Sequence, residues 1–404
     1  MRLSRTVPAA LALALLSTSF STPAARAADT GPIKIALITD MSGVYAALAG
    51  PGAAEAVKMA VEDFGGKVLN RAIVVDVVDH RNQGPIANAK AREEFDGGAE
   101  LALDMTNSGT ALAVAEVAKE RHKLAIVTGG ATSALTGAAC NKYTYHYAYD
   151  TYALAHSTGS YIAGNGGKTW YGIVPDYAFG AQMLSDFTDA VESKGGKFVK
   201  ADKMPLGTTD FSSYMIAAKN AHPEVLGLLN AGADTVNSMK AAKQFQLDKQ
   251  MKIAVGLLFL SDVDALPDVF AGSRITTSWY WNEDKAARTW ADKYAARMHG
   301  LRPTDIQAAD YSATWQWLSA VKAAGTLDAD AVVKYLDGRK FSDFYAHEGQ
   351  WRARDHRVTH DMYVVDVLPK EEVKEPHAWV KLLQTIPAAG AFRPEAQSTC
   401  KKDW

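Results

Sequence analysis

Ile33-Lys34-Ile35-Ala36-Leu37-Ile38-Thr39, followed at once by Asp40-Met41-Ser42-Gly43, is the stretch on which the fold of this 404-residue chain turns. The run is short, largely apolar, and does not alternate with polar residues. A strand of that kind is buried on both faces, the habit of parallel sheets covered by helices. After the Asp-Met-Ser-Gly turn, residues 53–64 carry apolar positions at helical spacing and stop at Gly65-Gly66. The unit is strand, loop, helix.

The unit recurs downstream. Strands are expected at 72–78, 100–105 and 124–128, with helices at 85–95 and 109–121. After Asp150 the pattern restarts, with a helix at 152–163, a strand at 169–174 and a helix at 179–194. Strands at 198–204, 225–229, 253–258 and 275–279 follow, with helices at 211–220 and 235–245. Helices at 284–299, 308–324 and 329–336 have too few strands between them for a third sheet, and are expected to pack back on the first unit. Strands at 347–352 and 362–368 precede a tail, 371–404, that reads as irregular. The fold class is α/β, with two parallel sheets flanked by helices. In such sheets ligands bind beyond the carboxyl ends of the strands, so function is sought in the loops found there.

Upstream of Ile33 the sequence changes character. Arg2 and Arg5 precede an apolar run at 7–20, and Ala25-Arg26-Ala27 has the form of a cleavage site, the layout of a secretory signal peptide over residues 1–27. The run falls short of the roughly 20 residues a membrane-spanning helix needs. The mature chain is expected to begin near Ala28 and to fold in an exported compartment, without ATP or a reducing thiol buffer. About 375 residues remain, enough for two to three domains.

An apolar content of 48% and a charged content of 22% describe an ordinary globular chain. The formal net charge of −2 moves to about −5 once Arg2, Arg5 and Arg26 are removed. No basic stripe with interleaved aromatics is present, which argues against a nucleic-acid partner. The two cysteines, Cys140 and Cys400, sit in polar, loop-like settings and read as one disulfide in an oxidising compartment; two buried free thiols are the alternative.

Four loops carry the candidate chemistry. Asp40-Met41-Ser42-Gly43-Val44-Tyr45 follows the first strand and offers Ser42 and Tyr45. Thr106-Asn107-Ser108-Gly109 follows the third strand, and Gly129-Gly130-Ala131-Thr132-Ser133 the fourth. Each of these two opens a helical turn, where free backbone N–H groups and the helix dipole can hold a carboxylate without Lys or Arg. Ser108 and Thr132 serving simply as N-caps is the plain alternative. Asp176-Tyr177-Ala178-Phe179-Gly180 opens the second unit, and Tyr177 and Phe179 are placed to close on a ligand. Tyr149 and Tyr280-Trp281 fall at expected crossings between the units.

Enzyme signals are weak. Gly167-Lys168-Thr169 resembles the end of a phosphate loop, but Ile162 stands where the first Gly is required and the segment precedes a strand. Neither a G-x-S-x-G elbow nor an H-E-x-x-H motif occurs. His356 and His360, beside Asp355 and Asp361, have a metal-like spacing, yet they lie in a turn and a strand and have no evident third ligand.

Taken in order, these loops carry a resemblance. Asp40-Met41-Ser42-Gly43, Asp63-Phe64-Gly65-Gly66, Asn107-Ser108, Asp150-Thr151-Tyr152-Ala153-Leu154-Ala155, Asp176-Tyr177-Ala178-Phe179-Gly180, Asp210-Phe211-Ser212-Ser213, Asn230-Ala231-Gly232, His360-Asp361-Met362-Tyr363 and Ala391-Phe392-Arg393-Pro394 span the mature chain. The chain resembles periplasmic solute-binding proteins of the branched-chain amino acid type, the receptors of ABC importers with the type I periplasmic binding protein fold. The resemblance implies two Rossmann-like lobes joined by three hinge crossings, at Tyr149, 279–281 and 349–352, with a ligand in the cleft and hinge closure on binding. The N-terminal lobe would take 28–149 plus 281–346, and the C-terminal lobe 150–280 plus 347–404.

It also implies a monomer in the periplasm, with a small-molecule ligand and permease subunits at the inner membrane as partners, no cofactor, no metal and no catalysis. In amino-acid-binding members, groups at the positions of Ser108 and Thr132 hold the carboxylate. An acid from the second lobe, after the strand matching 253–256, holds the ammonium. This chain has Leu257-Leu258-Phe259-Leu260 there, with no acid until Asp262, and a buried ammonium would lack its partner. The subgroup with the Asp-Tyr-Ala-Phe-Gly and His-Asp-Met-Tyr signatures includes receptors for aromatic carboxylates. The expected ligand is thus an organic, aromatic acid, contacted by Ser42, Tyr45, Asn107, Ser108, Gly130, Ala131, Thr132, Tyr149, Tyr177, Phe179, Gly232, Leu258, Phe259 and Tyr280. A branched-chain amino acid or amide, or a sensor role, is the alternative.

Overall fold

β1 (Ile33–Thr39), β2 (Lys67–Val68), β3 (Arg71–Asp79), β4 (Ala99–Asp104), β5 (Leu124–Val127) and β6 (Thr144–His146) form a sheet in the order 2-3-1-4-5-6. Every pairing is parallel except the short β2–β3 hairpin. β1 runs between β3 and β4, and all its residues but Lys34 are buried, the reason its sequence does not alternate. This computed structural model describes Met1 and residues 31–404; the leader reading of 1–27 falls, Met1 apart, outside the described residues.

β7 (Thr169–Pro175), β8 (Lys197–Met204), β9 (Val225–Leu228) and β10 (Lys252–Val255) make a second parallel sheet in the order 10-9-7-8. β11 (Arg274–Thr277), β12 (Lys340–Phe341), β13 (Gly349–Trp351), β14 (Val358–Thr359), β15 (Met362–Val367) and β16 (Val380–Ile386) complete the strands. They form two antiparallel sheets, 11-15-16 and 12-13-14. Among the described residues no helix is long and apolar enough to cross a membrane.

The late helices do pack back on the first lobe: Asp305–Ala324 lies along Gly50–Asp63. Thr304 caps it, and the Thr304 hydroxyl donates to the Leu48 carbonyl at 2.6 Å. Cys140 and Cys400 are joined, with Cα atoms 5.6 Å apart across a separation of 260 residues.

The helix expected at 152–163 is present without a break over 151–164, with a wider turn at Ala155–Gly159 between Thr151–Leu154 and Ser160–Gly164. Two local expectations are corrected. The apolar run at 253–258 leaves the sheet after Val255. The irregular tail contains β16, paired with β15. Arg357, just before β14, bridges to His146 of β6.

His356 and His360 serve the fold instead of a metal. The His360 ring contacts the Tyr147 and Ala148 carbonyls at 3.2 and 2.7 Å, and burial pushes its pKa down to about 4. The His356 ring stacks on Tyr145 at 4.1 Å. Beside them the fully buried Arg357 donates to the carbonyls of Ala148 and Tyr149 and lies 4.0 Å over Phe392.

Candidate functional site

Asp40 shapes the loop after β1. Its Oδ1 accepts from the Gly43 amide at 2.7 Å, and its Oδ2 from the Tyr45 amide at 2.9 Å and Asn82 Nδ2 at 2.5 Å. A Cβ at position 43 would lie 2.6 Å from Asn82 Nδ2 and 2.8 Å from both Asp40 carboxylate oxygens, so a side chain there would have to displace these hydrogen-bonded groups. Held this way, the loop delivers Tyr45 and Leu48 inward.

β4 ends on Asp104 and Met105, whose φ values of 79° and 52° are left-handed. Non-glycine residues pay about 1–3 kcal/mol each for that conformation. The reversal carries Thr106, Asn107 and Ser108 over the end of the sheet, with Thr106 Oγ1 2.9 Å from both Asp104 oxygens. Asn107 is the N-cap of the helix Ser108–Arg121, its Oδ1 accepting from the amides of Gly109 and Thr110. Its Nδ2 is buried with no partner among the described residues. The Ser108 hydroxyl accepts from the Thr132 amide at 3.2 Å, which ties the loops after β4 and β5 together.

The opposite wall comes from the loops after β7, β9 and β10. A Cβ at Gly180 would sit 1.9 Å from the Pro175 carbonyl, so glycine there lets the helix Ala178–Glu192 start directly off β7. Tyr177 and Phe179 thereby face the first lobe. The Tyr45 and Tyr177 hydroxyls meet at 2.7 Å, and burial pushes both phenols up, so both stay neutral. Tyr149 donates to the Gly129 carbonyl at 3.1 Å and meets Phe259 edge-on at 6.0 Å. Gly232, at φ 58°, is so close that a Cβ would lie 2.7 Å from the Val44 carbonyl.

Between the walls is a narrow cavity. Its lining surrounds about 250 Å³ of non-atom space, of which about 10 Å³ admits the centre of a water-sized sphere, the room of about one water. Tyr45, Ser108, Ala131, Tyr149, Tyr177, Phe179 and Phe259, all expected from sequence, line it. Leu48, Thr106, Gly129, Ala231 and Leu257 line it as well and were missed; small or aliphatic, they carry no chemical signal.

The remaining candidates lie elsewhere. Ser42 is exposed and donates to Asp79 at 2.9 Å. Leu258 turns into the core of the second lobe, because the strand has already ended. Tyr280 packs edge-on against Tyr363 at 5.5 Å. Asn107, Gly130, Thr132 and Gly232 support the lining without belonging to it; the Thr132 hydroxyl accepts from the Ala134 amide as a cap.

Residues 32–372 match the sequence profile of the periplasmic binding protein family. The chain belongs to that family.

A solved periplasmic binding protein from Burkholderia mallei is 46% identical, with a TM-score of 0.89, covering 92% of this chain and 98% of the other. A branched-chain amino acid ABC transporter periplasmic ligand-binding protein from Burkholderia xenovorans is 35% identical, with a TM-score of 0.80 and coverage of 91% and 99%. At 18% identity and a TM-score of 0.80, a solute-binding protein from Rhodopseudomonas palustris in complex with benzoate shares the fold, with coverage of 92% and 100%. A Leu/Ile/Val-binding protein homolog from Brucella melitensis is 25% identical over 57% of this chain, and the match spans 59% of that protein's length.

Two acids of the second lobe of this periplasmic binding protein, Asp262 and Asp234, do not line the cavity. Asp262 Oδ2 accepts from the Phe259 amide at 3.4 Å, turned back on its own helix, and burial pushes the carboxyl up to about 7. Asp234 was not singled out from sequence. It is buried, its Oδ2 accepts from the Gly207 amide at 3.1 Å, and its Oδ1 has no partner among the described residues. Burial pushes its carboxyl up to about 6, and its charge acts on both Tyr45 and Tyr177.

Proposed function

We propose that the protein is an extracytoplasmic receptor that captures a small aromatic carboxylate between its lobes and delivers it to the permease of an ABC importer. One observation carries the ligand class: none of the twelve residues lining the cavity is charged, and five of them are aromatic rings. An α-amino acid would bring an ammonium into this space with no lining carboxylate to meet it, a costly burial. A flat aromatic acid asks only for donors at one end. The Ser108 hydroxyl supplies one, with the unpaired Asn107 Nδ2 nearby. As it stands the slot has the room of about one water, so a ring enters only with the walls drawn further apart.

A second reading, a branched-chain amino acid, is favoured by Asp234, whose free oxygen sits close enough to influence both cleft tyrosines. Calorimetry on the purified mature protein separates the two. The first reading expects benzoate or a hydroxybenzoate to bind, its primary amide to bind at least tenfold more weakly, roughly the worth of a hydrogen bond to a charged group, and leucine to give no heat. Under it Asp234→Asn shifts aromatic-acid affinity by less than about threefold. Tight leucine binding that Asp234→Asn abolishes would establish the second reading instead.

A further inference from the structure

A second cavity lies behind the wall of the first. Within 45–48, Tyr45 and Leu48 face the narrow cleft while Ala46 and Ala47 face the other way. Within 257–261, Leu257 and Phe259 face the cleft while Leu260 and Ser261 face the second space. That space, about 550 Å³ open to the centre of a water-sized sphere, has the dimensions of ordinary small-molecule pockets, about 300–1,000 Å³. Ala47, Met298 and Leu301 line one side, Leu260 and Trp379 the other, with Trp281 between.

Most of its polar side chains are already engaged. Thr304 donates to the Leu48 carbonyl and Gln307 Nε2 to the Ala49 carbonyl. Arg302 pairs with Asp292 at 2.6 Å and lies 4.0 Å over the Trp281 ring. Trp281 Nε1 donates to the His377 carbonyl at 3.0 Å. Asp264 uses Oδ1 alone, for Trp379 Nε1 and His377 Nδ1, both at 2.6 Å. Beside it the Ser261 hydroxyl is buried without a partner among the described residues. What remains is a carboxylate oxygen, an unpaired hydroxyl and indole walls. Arg302, the guanidinium in the lining, is neutralised by Asp292.

We propose that this cavity is a second binding site, for a neutral, ring-sized molecule carrying a hydroxyl group, a phenol or aryl alcohol. Its ring lies against Trp379, and its hydroxyl donates to Asp264. Its preference differs in charge from that of the cleft: the acceptor at Asp264 repels the carboxylate that the cleft takes.

The test is a ¹⁹F NMR titration of the purified mature protein with 4-fluorophenol and with fluorobenzene, which lacks the hydroxyl. Ala47 is exposed, so Ala47→Trp fills the cavity without entering the core. The expected result is saturable binding of 4-fluorophenol that is unchanged in Ser108→Ala and at least tenfold weaker in Ala47→Trp. Fluorobenzene binds the parent roughly tenfold more weakly than 4-fluorophenol, the scale of a hydrogen bond to a charged group, and is indifferent to Asp264→Asn. The proposal is overturned by no binding of 4-fluorophenol, by its loss in Ser108→Ala, by equal affinity in Ala47→Trp, or by equal affinity of the two probes. These outcomes stand whatever ligand the cleft takes.

Discussion

Tyr45 and Tyr177, 132 residues apart in sequence, share a 2.7 Å hydrogen bond between hydroxyls that come from opposite lobes. Both phenols are neutral at physiological pH, so one donates and the other accepts. On the proposed role, the bond latches the cleft when it closes. Tyr177→Phe keeps the ring and removes the latch. A neutral hydrogen bond contributes about 0.5–1.5 kcal/mol, so ligand affinity should fall roughly 2- to 12-fold, mostly through faster dissociation. Stopped-flow displacement checks this; an unchanged off-rate would show that the hydroxyl pair does no latching.

Ser108 and Thr132 are separable. Ser108→Ala removes a cavity hydroxyl and the acceptor of the Thr132 amide. Loss of a hydrogen bond to a charged ligand group costs about 1.5–3 kcal/mol, a 10- to 150-fold fall in affinity. Thr132→Val removes a cap to Ala134 instead. Its expected cost is about 1 kcal/mol of stability, with a smaller effect on binding. Calorimetry and thermal melts on both variants should show this crossed pattern, and the reverse pattern would move the carboxylate site to Thr132.

Two buried carboxyls lie beneath the site, and burial pushes Asp104 up to about 7 and Asp310 well above its ordinary value of 3.8. Thr128 donates to Asp310 Oδ1 at 2.5 Å, while Oδ2 has no partner among the described residues. Folded carboxyls that keep their protons to higher pH than unfolded ones make stability fall as pH rises from about 4 through about 7. Asp310→Asn removes one of them. Its melting temperature should gain on the parent's as pH increases from 5 to 8. A gap that stays constant over that range would show that the pair is not held protonated.

The disulfide closes a separation of 260 residues. On the chain-entropy account, opening such a loop costs about 5–6 kcal/mol. Replacing Cys140 and Cys400 together by serine should lower the urea midpoint accordingly, while ligand affinity of the folded protein stays the same. Equal midpoints would mean that the unfolded chain is already ordered around this tie.

The parallel strands were legible because burial on both faces dictates composition: β1, β4 and β5 announce themselves as short, largely apolar runs without strict alternation. β6 did not, being Thr-Tyr-His, three residues brought into the sheet by pairing with β5. β16 was hidden for another reason. It is paired with β15 alone and exposes most of its length, including Leu382 and Leu383, so it lacks a buried-strand signature.

At the site, the loops could be read from strand ends, and the aromatic and hydroxyl residues from their chemistry. Leu258 misled because the apolar run continues two residues beyond the last residue anyone could pair, Gly256, whose amide still bonds the Leu228 carbonyl. Asp234 was passed over because nothing local distinguishes it from an ordinary acid in the first turn of a helix. Its burial comes from distant segments. The second cavity was invisible for the same reason, assembled from alanine, methionine and leucine positions far apart in the chain.

Gly232 gives the closing motion of such a receptor a hard stop. With the Val44 carbonyl where a methyl group would have to go, the lobes meet backbone to backbone. On the proposed role, the fully shut shape is then fixed by van der Waals contact between backbones, independent of what is caught inside. A guest slightly too thick leaves the jaws ajar by its own excess, however tightly it is gripped. On the proposed role, a permease that responds to the shut outline would turn such a guest away, so that selection acts twice, once on chemistry inside the cleft and once on thickness, read from outside.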